Sequence, residues 1–232
     1  MHKMTIKPWQ DCRNGTALPS GEIQIWSASL DREIYSNFLY LLSEDEKCRA
    51  ARLKSKAAAR QQIISRGILR ILLGRTIGVN PEELTIGSNP FGKPFLSCPE
   101  NSAISFNLAH SGQLLLIAIG NCKHTGIDVE KMEENIDFAG ISALVFSDDE
   151  QQSLSRSKEP VQDFYAIWTA KEAVLKAAGR GFAYPSNKFC VVISKKNISL
   201  LKYQAELTHG FSWSISSFTP ASGYSAAVAV LQ

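Results

Sequence analysis

The sequence predicts an α+β protein built as a pseudo-dimer, two similar α+β halves in one chain with a ligand cleft between them. Three observations carry this. Each half reads as a strand, then a long helical region, then several strands. Each half ends in a small-and-aliphatic run, Leu114–Gly120 in one and Ala226–Leu231 in the other. The length, 232 residues, is enough to bury a proper core as one large domain or as two small halves. The halves meet near residue 123, which gives an N-terminal half over 1–122 and a C-terminal half over 123–232. An interface of this kind is a common place for a ligand.

The elements follow in order. Residues 1–20 hold Pro8, Gly15 and Pro19 with little periodicity and read as an irregular lead-in. Ile23 and Ile25 alternate with polar residues over 22–28, the pattern of a strand. Ser43-Glu44-Asp45-Glu46 opens a helix with a capping box, and helical signal continues to Leu73, where Gly74 stands as a terminator. So long a run predicts a break near Arg52–Lys56. Ile63, Ile64, Gly67, Ile68, Ile71 and Leu72 form its apolar stripe. Asn89-Pro90-Phe91-Gly92-Lys93-Pro94 is a turn. Residues 103–108 alternate as a strand, 114–119 read as a buried strand, and 126–130 as a third. Phe146-Ser147-Asp148-Asp149-Glu150 starts a helix. Residues 163–178 form another, with Gly179 and Gly181 beyond its end. The segments 189–194, 198–207, 212–218 and 224–231 read as strands.

Composition narrows the function classes. Hydrophobic content of 44% and charged content of 20% are ordinary for a soluble globular protein. The net charge of +3 says less than its distribution. From Lys47 to Arg75 there are nine basic residues and no acid; from Asp128 to Glu172 there are eleven acids against four bases. One region suits anions and the other cations. Five cysteines without a CxxC pair argue against a disulfide framework or zinc cluster and fit a reducing cytoplasm. No signal peptide is visible, and the most apolar run, Leu114–Ile119, is far too short to span a bilayer.

The chemistry concentrates in Gly126-Ile127-Asp128-Val129-Glu130. On a strand, Asp128 and Glu130 share one face and Ile127 and Val129 the other. Paired carboxylates suit a hard cation such as Mg²⁺, which keeps several waters and recruits substrate phosphates. Taken alone, the two acids read as solvated strand positions. Glu172 and Lys176, four apart on a helix, alone read as an exposed ion pair worth about 0.3–0.5 kcal/mol. Lys171 falls near the middle of that helix's apolar face; a buried lysine needs an anionic partner, and an acid–metal–phosphate site nearby would provide one. Arg49, Arg52, Lys56 and Arg60, spaced 3, 4 and 4, share a helical face. A nucleic-acid surface would add aromatic residues for stacking, and the basic run has none, so a phosphorylated small molecule fits better. Lys93 sits in a Gly-Lys-Pro turn and His110 at a strand end. His2, His124 and His209 show no ligand spacing.

Read in order, Arg52…Arg60…Arg66-Gly67-Ile68-Leu69-Arg70, Gly92-Lys93-Pro94, Phe106-Asn107-Leu108-Ala109-His110-Ser111, Gly126-Ile127-Asp128-Val129-Glu130, Phe146-Ser147…Glu150 and Trp168-Thr169-Ala170-Lys171-Glu172…Lys176…Gly179-Arg180-Gly181 resemble the 4′-phosphopantetheinyl transferases of the surfactin-synthetase type, over roughly residues 22–231. The resemblance implies a pseudo-dimeric fold with coenzyme A in the cleft. It also implies transfer of the phosphopantetheine arm to a serine of an apo acyl carrier protein or of a carrier domain of a fatty-acid, polyketide or peptide synthase. Adenosine 3′,5′-bisphosphate would be the other product. By position, Asp128, Glu130 and Glu172 match the Mg²⁺-site acids, and Lys176 a lysine at the reacting phosphate. His110 and Lys93 match pyrophosphate contacts, and Arg52 and Arg60 fall where basic residues surround the 3′-phosphate. Glu172 or a metal-bound hydroxide would take the serine proton. Many members carry Ser before the histidine; Ala109 removes that hydroxyl. Ile141–Phe146 is a candidate carrier-docking segment, and internal duplication makes a monomer natural, with neither nucleic acid nor membrane as partner. The alternatives are another Mg²⁺-dependent phosphotransferase, or a non-catalytic nucleotide- or nucleic-acid-binding module.

Overall fold

The computed structural model describes residues 3–14, 18–19, 21–33, 35–98, 104–180, 184–194, 197–202 and 212–231. The chain runs β1 (Lys3–Pro8), β2 (Glu22–Ser29), α1 (Glu44–Ala51), α2 (Lys56–Ile77), β3 (Thr85–Ser88), β4 (Pro94–Cys98), β5 (Ile104–Ser111), β6 (Leu114–Asn121) and β7 (His124–Lys131). It continues with α3 (Phe138–Val145), α4 (Asp148–Ser155), α5 (Pro160–Ala178), β8 (Cys190–Ser194), β9 (Asn197–Lys202), β10 (Trp213–Phe218) and β11 (Tyr224–Leu231). It is an α+β protein with two main sheets. One is ordered β1-β2-β6-β5 and the other β7-β11-β10-β9-β8; β3 and β4 form a separate hairpin.

The duplication is visible in the topology. In the first half the opening strand β2 pairs antiparallel with the closing strand β6, and β5 flanks β6. In the second, β7 pairs antiparallel with β11, and β10 flanks β11. A long helix, α2 or α5, separates each opening strand from its returning strands.

Strand alternation divides the apolar side chains between three cores. Trp26, Leu115, Ile117 and Ile119 pack with Ile64, Ile68 and Leu72 of α2. Ala227 and Ala229 pack with Phe164, Ile167 and Val174 of α5. The opposite faces, with Ile23, Ile25, Leu116, Ala118, Ile127, Val129, Val228 and Val230, meet between the halves. Ala109 belongs to this last core, 7% exposed. The edge strands β5 and β7 pack along this seam. Asn107 stitches it, its Oδ1 accepting from the Ile127 N–H at 2.9 Å.

Several expectations hold locally. The capping box forms at Ser43, whose Oγ accepts from Glu46 N–H while the Glu46 carboxylate accepts from Ser43 N–H. The helical run breaks after Ala51 and restarts at Lys56, with Ser55 as N-cap. A second capping box pairs Ser147 with Glu150. Three expectations change. The lead-in contains β1, an edge strand parallel to β2, too short and too exposed to show a period. The helix does not stop at Gly74 but at Ile77, where Gly78 takes φ +74. Gly74 is a packing glycine, since a Cβ there would meet the Val79 carbonyl at 2.6 Å. The strand expected over 103–108 extends to Ser111, so His110 lies within it. Residues 203–207 of the strand expected at 198–207, and Gly181 beyond α5, lie outside the described residues.

Candidate active site

The alternation of β7 sends Ile127 and Val129 into the inter-half core and turns Gly126, Asp128 and Glu130 toward α5. Gly126 lets the helix come close: a Cβ there would overlap the Ala173 carbonyl oxygen and the Ala177 backbone. The last turns of α5 therefore lie directly over the acids. Across this gap Lys176 Nζ donates to Asp128 Oδ1 at 2.6 Å.

Asp128 is only 4% exposed. Burial drives its carboxyl from 3.8 up to about 7, against the pull of Lys176, with Glu130 and Glu172 pushing it further up. Burial likewise raises Glu172, opposed by the Lys176 charge and assisted by Glu130. Glu130 is half-buried and accepts from Ser111 Oγ at 2.8 Å, and that same oxygen accepts from the Lys131 N–H. The second Asp128 oxygen, Oδ2, is buried with no hydrogen-bond partner. A buried carboxylate oxygen left without a partner is costly, and among two further acids it fits a hard cation. Among the described residues no three His, Cys, Asp or Glu side chains close to ligating distance. The three acids share a field rather than a point, and the Lys176 ammonium supplies the local positive charge.

A cleft of about 310 Å³ opens beside this group, lined by Arg66 from α2, Lys93 from the β3–β4 turn, Asn107 and His110 from β5, and Lys176 and Gly179 from the end of α5. Both halves contribute to its wall. His110 is exposed at its edge, and partial burial together with the adjacent Lys176 charge lowers its imidazole below the ordinary range. Lys93 Nζ donates to the carbonyls of Thr125 (3.0 Å) and Ala177 (2.7 Å). Burial holds its ammonium down to about 8, opposed by Cys122.

Three sequence-derived assignments meet other surroundings. Lys171 is buried, but its partner is Glu150 of α4, at 2.6 and 2.8 Å, together with the Phe189 carbonyl at 2.7 Å. It is thus a core ion pair outside the cleft, and the anion demanded by its burial was the capping-box glutamate. Arg60 is exposed and donates to the Asp31 and Glu33 carbonyls. Arg52 is exposed as the C-cap of α1. Neither lines the cleft: the break between α1 and α2 separates Arg52 from the rest of the basic stripe, and Arg60 of α2 is held at the Asp31 and Glu33 carbonyls. The residue missed by spacing is Arg66. Its Nη1 is buried and without a hydrogen-bond partner. It lines both the cleft and a second cavity of about 350 Å³, where Arg49 and Arg70 stand with the acids Glu44, Asp45, Glu46 and Glu82. Arg70 is occupied by Glu46 and the Pro81 and Leu84 carbonyls. The xRG step at the start of the apolar stripe was the available signal, since a charged residue there faces inward.

A family model described as the 4′-phosphopantetheinyl transferase superfamily matches residues 124–229, and one described as 4′-phosphopantetheinyl transferase, N-terminal, matches residues 24–122. The 4′-phosphopantetheinyl transferase HetI of Nostoc sp. is 32% identical over 92% of this chain and 89% of its own length. The transferase Sfp of Bacillus subtilis is 26% identical over 70% of this chain and 71% of its own. Among solved structures, the holo-[acyl-carrier-protein] synthase of Neisseria meningitidis matches 47% of this chain and 97% of its own, with 18% identity and a TM-score of 0.41. The chain belongs to the 4′-phosphopantetheinyl transferase superfamily. It is an enzyme of phosphopantetheine transfer.

Proposed function

We propose that the chain transfers the 4′-phosphopantetheine arm of coenzyme A to a serine hydroxyl of an apo acyl or peptidyl carrier protein. Mg²⁺ would be its cofactor, and adenosine 3′,5′-bisphosphate the second product. One observation supports this above the others: buried Asp128, with an orphaned oxygen, is bonded to Lys176, which lines a cleft together with Arg66, Lys93 and His110. Such a cleft is suited to a polyanion with a cation at its centre.

Asp128, Glu130 and Glu172 would hold the divalent ion. When bound, that ion withdraws charge from the diphosphate and stabilises the leaving oxygen. Lys176, Lys93 and His110 share the remaining phosphate charge, and Arg66 with Arg49 receives the 3′-phosphate end of the ligand. The serine Oγ attacks the phosphorus that bears the arm. The bond from that phosphorus to the oxygen of adenosine 3′,5′-bisphosphate breaks, and the serine proton passes to Glu172.

The chain divides functionally at 122/123, with anion-binding groups mainly before and metal-site acids after. The carrier meets the apolar α3 surface, where Leu144 is 76% exposed. A monomer suffices because each half finds its partner within the chain. Five free cysteines fit a reducing cytoplasm, and among the described residues no helix is long and apolar enough to cross a membrane. The reading is tested by quantifying adenosine 3′,5′-bisphosphate release alongside carrier modification. Equal amounts are expected, with both lost in Asp128→Ala. A variant retaining more than a tenth of the wild-type rate is incompatible with a metal-site role, which contributes several kcal/mol.

A further inference from the structure

The end of α5 is not self-contained. A helix leaves its last carbonyls without intrahelical partners. Here Gly179 N–H closes on the Leu175 and Lys176 carbonyls, but two others are satisfied from the opposite half. Lys93 Nζ donates to the Ala177 carbonyl at 2.7 Å, and Asn89 Nδ2 donates to the Gly179 carbonyl at 2.7 Å. A cationic group at a helix C-terminus also complements the helix dipole.

Asn89 is organised for this contact. Its Oδ1 accepts from both the Phe91 and Lys93 N–H groups at 2.9 Å. Those two bonds, with Asn89 N–H to the Lys93 carbonyl and Gly92 N–H to the Asn89 carbonyl, shape the β3–β4 turn around one side chain. The Asn89 amide nitrogen is left aimed at α5. Gly179, at φ +69, lies against both partners: a Cβ there would meet Asn89 Nδ2 at 3.0 Å and Lys93 Cδ at 3.1 Å. Asn89, Lys93 and Gly179 therefore form a clasp, three residues beyond Lys176, between the half that carries His110 and Arg66 and the half that carries the acids.

We propose that Asn89 is a positioning residue for the transfer reaction: it fixes the β3–β4 turn to the end of α5 and so sets the spacing of Lys93 and Lys176 across the cleft. The inference rests on the proposed function for its catalytic consequence, though the clasp itself does not. Aspartate is nearly isosteric with asparagine. Asn89→Asp keeps the acceptor for Phe91 and Lys93, loses the donor to Gly179, and opposes a carboxylate to a carbonyl oxygen. Asn89→Ala loses both functions.

The test combines two readouts on the full chain, with thermal melting to show that the variants are folded. Backbone hydrogen exchange over residues 171–180 is expected to rise several-fold in Asn89→Asp relative to wild type; unchanged exchange would overturn the clasp. Steady-state transfer is expected to show a KM for coenzyme A raised about tenfold or more, the scale of a misplaced binding group, with the KM for the carrier protein unchanged. A drop in kcat alone at unchanged KM would signify only a smaller folded fraction and would overturn the positioning role, as would a wild-type KM. Absence of transfer from coenzyme A by the unmodified enzyme would refute the functional reading instead, and exchange would still decide the clasp.

Discussion

Replacing Asp128 by asparagine should make the metal-free protein more stable while removing its activity. In the folded chain the carboxyl titrates near 7 rather than 3.8, chiefly because it is buried. A raised acid binds its proton more tightly when folded, so its stabilising contribution is complete below pH 3.8 and is lost as pH rises to about 7. The span is roughly three units, and at 1.36 kcal/mol per unit the ionised group costs the fold roughly 4 kcal/mol at pH 8. The amide of the variant never ionises. The Lys176 partner is 31% exposed and can turn to water, so the loss of that pair offsets little. Thermal melts in chelator should therefore show Asp128→Asn more stable than wild type by up to about 10 °C at pH 8, with the difference shrinking to nothing near pH 4. Transfer should be lost in the same variant, a trade of stability for function. A variant no more stable than wild type at pH 8 would mean that the carboxylate is already satisfied in the folded protein, and the case for a cation there would fail.

Other expectations can be checked independently. Arg66→Ala should weaken coenzyme A binding by at least tenfold in calorimetry but weaken 3′-dephospho-coenzyme A much less, whereas Arg60→Ala should affect both little; equal losses for both ligands in Arg66→Ala would remove it from the 3′-phosphate. Lys171→Met should destabilise the fold by about 3–5 kcal/mol in denaturant titrations, because Glu150 is left buried without its counter-charge, while the folded fraction keeps its KM for coenzyme A. A changed KM would restore Lys171 to the ligand site. The Lys93 ammonium, lowered by burial to about 8, favours its charged form again when an anion binds. Coenzyme A affinity should thus be full below pH 8 and fall as pH rises above it; a Lys93→Met variant should show a smaller fall, and an identical one would exclude Lys93 as its source.

Local signals carried much of the architecture. The capping boxes at Ser43 and Ser147, the alternation of Ile23 and Ile25, and the apolar stripe of α2 are written in neighbouring residues, so they could be read without the fold. Period two on a strand and period 3.6 on a helix placed the acids of β7 and the charges of α5 on faces by rule, but that these faces meet was implied only by the family resemblance. What escaped depended on contacts distant in sequence. Gly74 looked like a terminator because its role, close approach of the Val79–Pro81 backbone, lies outside the helix pattern. Burial of Lys171 was evident from the helical wheel, yet its partner Glu150 is 21 residues away and already had a local role at the Ser147 cap. The basic stripe expected to hold Arg52 and Arg60 on one face was divided for a related reason. A spacing of 3, 4 and 4 defines a face only if the helix is continuous, and it breaks between Arg52 and Lys56. Asn89 matters through what it reaches across the seam, the Gly179 carbonyl 90 residues away.

The proposed activity comes down to one chemical event, and the mass of the acceptor reports it without intermediaries. Purified apo carrier protein, incubated with the enzyme, Mg²⁺ and coenzyme A, should gain a single phosphopantetheine group on a serine, as read by intact-mass and peptide-level spectrometry, and should gain none when the metal is chelated. An unmodified carrier under full conditions, across both acyl and peptidyl carrier types, or equal modification with the metal removed, would contradict it.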